Sequence, residues 1–485
     1  MGWMNYPRII QGGMGVAVSS TQLANAVARR GQMGVVSGTA LDTVLARRLQ
    51  LGDLAGDFAE AFAHFPIKDM AARVWERYFV PGGKDPAAPF KSKPVGNVVP
   101  SQGLLDLLIM GAFVEVWLAK RGHSGQIGIN LLEKIQLPTL PTLYGAMLAG
   151  VDVVLMGAGI PRTVPAALSK LAEGEEVEIN IEIPGDAEGV VTKFDPKRFW
   201  VGPLKRPKFL AIVSSASIAH VLAKKCTPPA DGFIIEGPKA GGHNAPPRGK
   251  MELNEKGEPI YGERDKPDFD KYRELGLPFW MAGSYGTHEM LLQALEEGAE
   301  GIQVGTAFAY CEESGIIPQI KHDVIKKAQA GQIEVFTDPR CSPTGFPFKV
   351  VPMEGTMSEP KEIKDRCRIC DLGYLRSVYR TPEGKVGYRC AAEPIDDYIK
   401  KGGEEPDVHG RKCVCNGLLS TIGLAQIRGD YVEPPLLTAG DDLADVGRFL
   451  KPGASSYTAD DVIDALLGVD LPTKIEVELP VAERV

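Results

Sequence analysis

A histidine follows a glycine-rich segment that begins where an apolar run ends. Residues 232–243 read GFIIEGPKAGGH, so His243 comes directly after two glycines. An imidazole titrates near neutral pH and suits proton transfer, and the glycines allow the backbone to lie flat against a ligand. The other six histidines of the chain lack such a setting. The pattern predicts His243 as a catalytic acid or base.

Small and polar residues end the next two apolar runs. Gly283 follows the run FWMA, and residues 301–306 read GIQVGT. Backbone N–H groups beside glycine can approach a phosphate closely, and barrel proteins often bind phosphate in the loops after strands seven and eight. The sequence therefore predicts a phosphate site at Gly283, Gly305 and Thr306. A plain turn is the alternative for each glycine taken alone.

The N-terminal motif QGGMG follows the first apolar run and contains Gly13 and Met14. A glycine pair lets the backbone approach a flat ring, and a thioether packs well on an aromatic face. Asn130 adds an amide after the third apolar run. These residues predict a flat aromatic cofactor, with a simple turn as the alternative.

Five of the eight cysteines lie close together in a C-terminal stretch. A C-x₂-C pair is followed by a single cysteine and then by a C-x-C pair. Four thiolates can hold zinc in a tetrahedron, and they can also hold an iron–sulfur cluster. The predicted ligands are Cys367, Cys370, Cys390 and Cys413, with Cys415 as the alternative fourth. The alternative without a metal is a set of small buried side chains.

Short apolar runs alternate with segments of helical period from Arg8 to about Phe308, which predicts parallel strands joined by crossover helices. An open doubly wound sheet is the alternative, but residues 157–162 read GAGIPR and lack the dinucleotide fingerprint. Eight strands are the number that closes a (β/α)₈ TIM barrel, which we therefore expect. The predicted strands lie at residues 9–10, 34–36, 127–129, 151–156, 209–213, 232–235, 279–281 and 301–304.

The barrel is predicted to occupy residues 1–350, with insertions at about 53–126 and 172–208. The second insertion alternates apolar and polar residues with period two, as a hairpin does. Residues 351–485 are predicted to form a Cys-rich segment and a helical tail. Another hairpin pattern, at 251–262, is predicted to form a lid or a wall of the pocket near His243.

Composition argues against several kinds of partner. The chain has 54 basic and 62 acidic residues, and its net charge of −8 provides no positive excess for a nucleic acid backbone. The apolar stretch at 104–118 contains Asp106 and Glu115, so no uncharged run is long enough to cross a membrane. We therefore expect neither nucleic acid nor a membrane as partner. With no signal-peptide pattern at the N-terminus, a cytoplasmic location is expected.

Seven motifs, taken in this order, resemble the nitronate monooxygenase family, also called 2-nitropropane dioxygenases, and the related FMN-dependent enoyl-acyl-carrier-protein reductases. The resemblance covers roughly residues 8–350. Its motifs are IIQGGMGVAVSS, GVVSGTA, GINLL, EGPKAGGH, MAG before a helix, GIQVGTAF and TDPRCSPTGFPFKVV.

The resemblance implies an FMN-bound TIM barrel in which His243 matches the active-site histidine. Glu236 stands where nitronate monooxygenases often carry Gln, and a glutamate there is closer to the reductase relatives. The residues that the resemblance and the motifs assign to FMN are Gly13, Met14, Asn130, Glu236, Gly241, Gly283, Gln303, Val304, Gly305 and Thr306.

The activity that the resemblance implies is the oxidation of nitronates with O₂, a flavoprotein monooxygenase reaction. The alternative is an NAD(P)H-dependent reduction of enoyl thioesters, which would add an acyl-carrier partner. An alternative of another class is a scaffold or electron-transfer subunit that works through the Cys-rich end. Either enzyme takes a small-molecule substrate, and a homodimer is left open.

Overall fold

Eight parallel strands form a barrel in the computed structural model, which describes residues 6–469 apart from the side chains of residues 363–365. Each strand pairs with its neighbours in the chain, and the last pairs with the first. The ring closes where Ile10 pairs with Met33 just before the second strand. The predicted TIM barrel is confirmed. Its strands are β1 (Ile9–Gln11), β2 (Gly34–Ser37), β3 (Ile127–Leu132), β4 (Val153–Gly157), β5 (Lys208–Val213), β6 (Gly232–Glu236), β7 (Phe279–Ala282) and β8 (Gly301–Val304).

Apolar side chains fill the interior of the barrel. The strands are apolar almost throughout because a parallel sheet with helices outside is buried on both faces. The Trp280 Nε1–H donates to the Pro7 carbonyl oxygen at 2.8 Å. The interior is packed, so ligand chemistry is left to the carboxyl ends of the strands. The interior cluster consists of Ile10, Met33, Val35, Val153, Leu155, Leu210, Ile234, Trp280 and Ala282.

Helices surround the strands and begin at local signals of the sequence. Ser20 and Thr287, for example, cap the helices that follow them by accepting backbone N–H bonds from Leu23 and Met290. The helices of the barrel region are Thr21–Arg29, Leu41–Gln50, Gln102–Lys120, Thr139–Leu148, Val164–Ala172, Ala216–Lys224, Phe269–Arg273, His288–Glu296, Thr306–Ala309 and Pro318–Gln329.

The two predicted insertions are present. The first contains helices Asp57–His64 and Lys68–Tyr78, followed by a segment at 81–100 without helix or strand. The second is an antiparallel hairpin of Val177–Ile183 and Asp186–Phe194. The pattern at 251–262 forms a single isolated bridge, Leu253 to Pro259, in place of a full hairpin.

Helix Gln102–Lys120 is long and apolar enough to cross a membrane by length and composition alone. Its most apolar window is 83% buried inside the protein, as in the core helix of a globular domain. Its two carboxylates are paired, since Asp106 accepts from Arg73 at 2.8 Å and Glu115 from Arg48 at 2.6 Å.

Gly145 allows helix Thr139–Leu148 to pack directly on helix Gln102–Lys120, because a Cβ there would overlap the Ile109 carbonyl oxygen. We expect Gly145→Ala to destabilise the protein by about 1–3 kcal/mol through overpacking. A thermal melt should show Tm lowered by about 1–3 °C. The control is Gly103→Ala in the same long helix, where the nearest atoms lie at 3.8 Å. Equal Tm values for the two variants would contradict the close approach.

Residues beyond 350 pack against the barrel. One hydrophobic cluster contains both barrel residues, such as Ile9 and Val36, and C-terminal residues, such as Leu437 and Val462. Thr458 caps the final helix as a capping box. The division at residue 350 stays a prediction. The elements of this part are a hairpin Phe336–Asp338 with Phe348–Val350, helix Pro360–Asp365, a hairpin Ser377–Arg380 with Val386–Arg389, helices Ile395–Lys400, Glu405–Val408 and Val414–Thr421, a short pair Ile427–Arg428 with Tyr431–Val432, the 3₁₀ helix Asp441–Phe449 and helix Ala459–Leu467.

Candidate active site

A cavity of about 240 Å³ lies at the carboxyl ends of the barrel strands. This is the end of a (β/α)₈ barrel that carries active sites. The structure brings every predicted catalytic and cofactor residue to its wall. These residues are Gly13, Met14, Asn130, Glu236, Gly241, His243, Gly283, Gln303, Val304, Gly305 and Thr306.

His243 is held by its neighbours from the segment 338–350. Its Nε2 lies 2.7 Å from the Ser342 Oγ, and the Phe348 ring meets the imidazole edge-on at 4.8 Å between centroids. Burial lowers the pKa of His243 to about 4. The imidazole is therefore neutral at pH 7, and it can accept or donate one hydrogen bond through each ring nitrogen.

Glu236 ends β6 and lines the same cavity. Burial raises the pKa of Glu236 to about 7, so the carboxyl group holds its proton well above the usual range. A carboxyl group and an imidazole whose pKa values are both displaced by burial are typical of a reactive site. This cavity can therefore exchange protons near neutral pH.

Ionisation of these two groups should affect stability in opposite directions. Glu236 ionises near pH 4.5 when unfolded and near 7 when folded, so stability falls as pH rises through that window. His243 binds a proton near pH 6.5 when unfolded and near 4 when folded, so stability rises with pH there. Between about pH 4.5 and 6.5 the two slopes offset each other.

Replacing one of the two groups should therefore reveal the effect of the other on the pH dependence of stability. In flavin-free protein we expect the Tm of Glu236→Gln to rise from pH 4.5 to 6.5 more steeply than that of the wild type, while the Tm of His243→Gln falls relative to the wild type. The wild-type curve is the control, because all other titrating groups are common to the three proteins. Parallel melting curves would contradict both pKa displacements.

Two buried amide oxygens face the cavity without a partner among the described residues. They are the Asn130 Oδ1 and the Gln303 Oε1. A buried acceptor without a hydrogen bond is costly, and such groups mark places where a ligand donates. Gly13 lies directly against Asn130, and a Cβ at Gly13 would overlap the Asn130 Cβ. The two amide oxygens can accept from an N–H group at the edge of a flat ring, and Gly13 leaves space for the face of that ring.

A C-terminal segment covers the predicted phosphate site. Gly283 has φ +96°, which favours glycine. The Gly440 N–H donates to the Thr306 Oγ1 at 2.9 Å, and Asp442 bonds to the same threonine. Burial raises the pKa of Asp442, although its bond from Thr306 and the charge of Arg448 oppose that effect.

The far wall of the cavity comes from residues after 370, which sequence reasoning missed. The segment 436–442 also fastens the histidine loop, because the Gly242 N–H donates to the Thr438 Oγ1 at 2.9 Å. The prediction that residues 251–262 wall the pocket is wrong, since none of them lines the cavity. A signal was present in PLLTAG, an apolar pair followed by small residues. The apolar residues of this wall are Tyr374, Leu375, Val414, Leu418, Leu436 and Leu437.

The predicted metal site is not borne out by the arrangement of the cysteines. Among residues 6–469, no group of three or more His, Cys, Asp or Glu side chains is placed to hold a metal ion. Cys367 is exposed, and it lies apart from the small cavity that the other four cysteines line. Three of the predicted ligands, Cys370, Cys390 and Cys413, line that cavity together with Cys415, and the set Cys367, Cys370, Cys390 and Cys413 stays a prediction.

Comparison with known proteins gives one family. Residues 168–341 match the family model described as nitronate monooxygenase. No curated protein matches the chain. Similar solved structures include FabK from Thermotoga maritima, with 16% identity and a TM-score of 0.48 over 96% of this chain and 92% of that one. Nitroalkane oxidase from Streptomyces ansochromogenes has 15% sequence identity and a TM-score of 0.48 over 95% of each chain. The enoyl reductase domain of MlnA from Bacillus amyloliquefaciens has 12% sequence identity and a TM-score of 0.47 over 96% of this chain and 94% of that one.

A (β/α)₈ barrel whose carboxyl end gathers a histidine, a buried carboxyl group and glycine-rich loops belongs to the class of barrel enzymes. The family match over residues 168–341 agrees with the resemblance of the motifs in that part of the chain to nitronate monooxygenases. The protein is an FMN-dependent oxidoreductase. This assignment argues against a scaffold that works through the Cys-rich end.

Proposed function

We propose that the cavity binds FMN and that the enzyme oxidises nitronates with O₂. The observation that supports this most is the combination, in one cavity, of two unpartnered amide oxygens with a buried neutral histidine. The amide oxygens of Asn130 and Gln303 would accept from the flavin ring, whose polar edge supplies an N–H. FMN bound there would supply the electron-accepting ring.

The remaining cofactor residues have roles that follow from their shape. Gly13 would leave space for the face of the flavin ring, and Met14 would pack its thioether on that ring. Gly241 would allow the histidine loop to lie close to the ring. Glycine backbone at Gly283 and Gly305 would place N–H groups beside the phosphate. Water is kept from the ring by the C-terminal segment 436–442, which lies over the histidine loop.

His243 would hold the substrate. Where Ser342 donates to Nε2, the proton of the neutral imidazole is on Nδ1, which can then donate to a nitronate oxygen. A nitronate is an anion whose negative charge is largely on these oxygens, so this bond would orient its carbon toward the ring. Orientation of this kind is a large part of what a protein contributes to a cofactor reaction.

The second candidate is an NAD(P)H-dependent enoyl-thioester reductase. The apolar C-terminal wall of the cavity favours it, because Leu375, Leu418 and Leu436 offer contacts that a small nitronate does not need and an acyl chain does. An acyl-carrier protein would then be a partner. Glu236, protonated up to about pH 7, is a proton donor available to that reaction.

Two assays separate the candidates. The first follows oxygen uptake with propionate 3-nitronate, with the nitro form of the same molecule, 3-nitropropionate, as control. The second follows NADH oxidation with a crotonyl thioester, with the saturated butyryl thioester as control. We expect oxygen uptake that depends on the nitronate. Turnover in the second assay alone would favour the reductase, and no turnover in either would refute both functions.

A further inference from the structure

One lysine holds its ammonium group inside the protein. Lys321 belongs to helix Pro318–Gln329, and only 8% of its surface is exposed. Its Nζ donates to the carbonyl oxygens of Cys311 at 3.0 Å, Glu312 at 2.8 Å and Ser314 at 3.2 Å. An ammonium group has three N–H donors, so each of them has an acceptor. Three carbonyl oxygens around one positive charge resemble the oxygen cage of a bound monovalent cation.

The main-chain segment 311–315 that Lys321 binds continues the wall of the large cavity. Tyr310 and Ile316, the residues on either side of the segment, line that cavity. Helix Thr306–Ala309 precedes them and begins at a predicted phosphate residue. Carbonyl dipoles that point to one place repel each other, so this turn needs the positive charge that lies among them. Lys321 therefore fixes the path of the segment.

The same segment holds the loop that follows β1. The Gly315 N–H donates to the Val18 carbonyl oxygen at 2.9 Å, and the Ser20 Oγ donates to the Glu313 carbonyl oxygen at 2.7 Å. Val18 lines the large cavity, as does Met14 in the same loop. Hydrogen bonds therefore connect the buried ammonium group, through one segment, to the loop that carries predicted cofactor residues.

We propose that Lys321 is a positioning residue for FMN, whose ammonium group takes the place of a bound monovalent cation. Without that charge, three buried carbonyl oxygens would lose their donor, and such unsatisfied groups are costly. The segment 311–315 would then turn its carbonyl groups toward water and move the loop after β1 with it. The inference rests on the proposed binding of FMN in the large cavity, and it adds a residue that does not itself line that cavity.

Lys321→Met tests the role of the charge, because methionine keeps most of the length of the side chain and has no N–H donor. We expect the Kd for FMN, measured by quenching of flavin fluorescence in the full-length protein, to rise about 10- to 100-fold. Lys326→Met is the matched control, since Lys326 is exposed on the same helix and its replacement should leave the Kd unchanged. Melting curves of the flavin-free proteins show whether each variant is folded.

Chemical rescue distinguishes positioning by a cation from simple packing. Lys321→Ala removes three methylene carbons and the ammonium group, which together have the size of n-propylammonium. We expect n-propylammonium to restore most of the affinity for FMN that this variant loses. 1-Propanol has the same length without a charge, and tert-butylammonium has the charge with greater bulk, so neither should restore it. The wild type in each solution is the control for effects on FMN itself.

An unchanged Kd in folded Lys321→Met, or equal rescue of Lys321→Ala by 1-propanol, would overturn the inference. If Lys321→Met does not fold, Lys321→Ala purified in n-propylammonium takes its place, and dialysis that removes the amine should release FMN. FMN that stays bound after dialysis, or a variant that stays unfolded in the amine, would also overturn the inference. A wild type that binds no FMN would instead refute the proposed cofactor site itself.

Discussion

Replacing His243 with alanine is expected to lower kcat/KM by about 10- to 150-fold, because its hydrogen bond to the anionic substrate would contribute roughly 1.5–3 kcal/mol. The imidazole is neutral at pH 7, since burial lowers its pKa to about 4, and it faces the cavity at the carboxyl end of the barrel. Flavin should remain bound, because the amide oxygens that would accept from the flavin belong to Asn130 and Gln303 and not to His243. Steady-state kinetics and the visible flavin spectrum of the same sample measure both effects.

Two variants sharpen this experiment. His220→Ala removes an exposed histidine from helix Ala216–Lys224 and should leave kcat/KM unchanged. Ser342→Ala removes the hydroxyl that lies 2.7 Å from the His243 Nε2, and we expect a smaller loss of roughly fivefold, since one neutral hydrogen bond contributes about 1 kcal/mol. Equal rates for His243→Ala and the wild type would refute the catalytic role of the histidine.

The barrel and the position of the active site could be predicted because both depend on local signals. Each strand is a short apolar run, and in a parallel barrel all carboxyl ends lie on one face, so Asn130, Glu236 and Gln303 had to lie near each other. Strand order needs no further information when each strand pairs with the next in sequence. This is why one pass along the chain placed residues from five strand ends in one cavity.

The C-terminal wall could not be predicted in the same way. Gly440 bonds to Thr306, and Thr438 to Gly242, across more than a hundred residues of chain. No period in the sequence encodes such a contact, because the segment 436–440 has neither helix nor strand. The cysteines show the same limit, since their spacing could not show that Cys415 lies in the wall of the active-site cavity.

Adding a methyl group at Gly13 should weaken FMN binding strongly. In Gly13→Ala the new Cβ would overlap the Asn130 Cβ, and its next neighbour is the Val35 side chain inside the barrel. Asn130 must therefore move, and its unpartnered oxygen leaves the position where a flavin N–H would donate. Loss of such a bond costs about 1–3 kcal/mol, so we expect the Kd for FMN, measured by flavin fluorescence, to rise about 10- to 100-fold.

A double-mutant cycle tests whether Gly13→Ala weakens FMN binding by displacing Asn130. Asn130→Gly removes both the amide and the Cβ that Gly13→Ala would overlap, so the alanine should add almost nothing to the Kd in that background. Gly237→Ala is the control at the end of β6, because its Cβ would meet only the Ala282 carbonyl oxygen at 3.7 Å. Melting each flavin-free variant separates loss of fold from loss of affinity. Additive effects in the double mutant would show that Gly13 acts on FMN by a route other than Asn130.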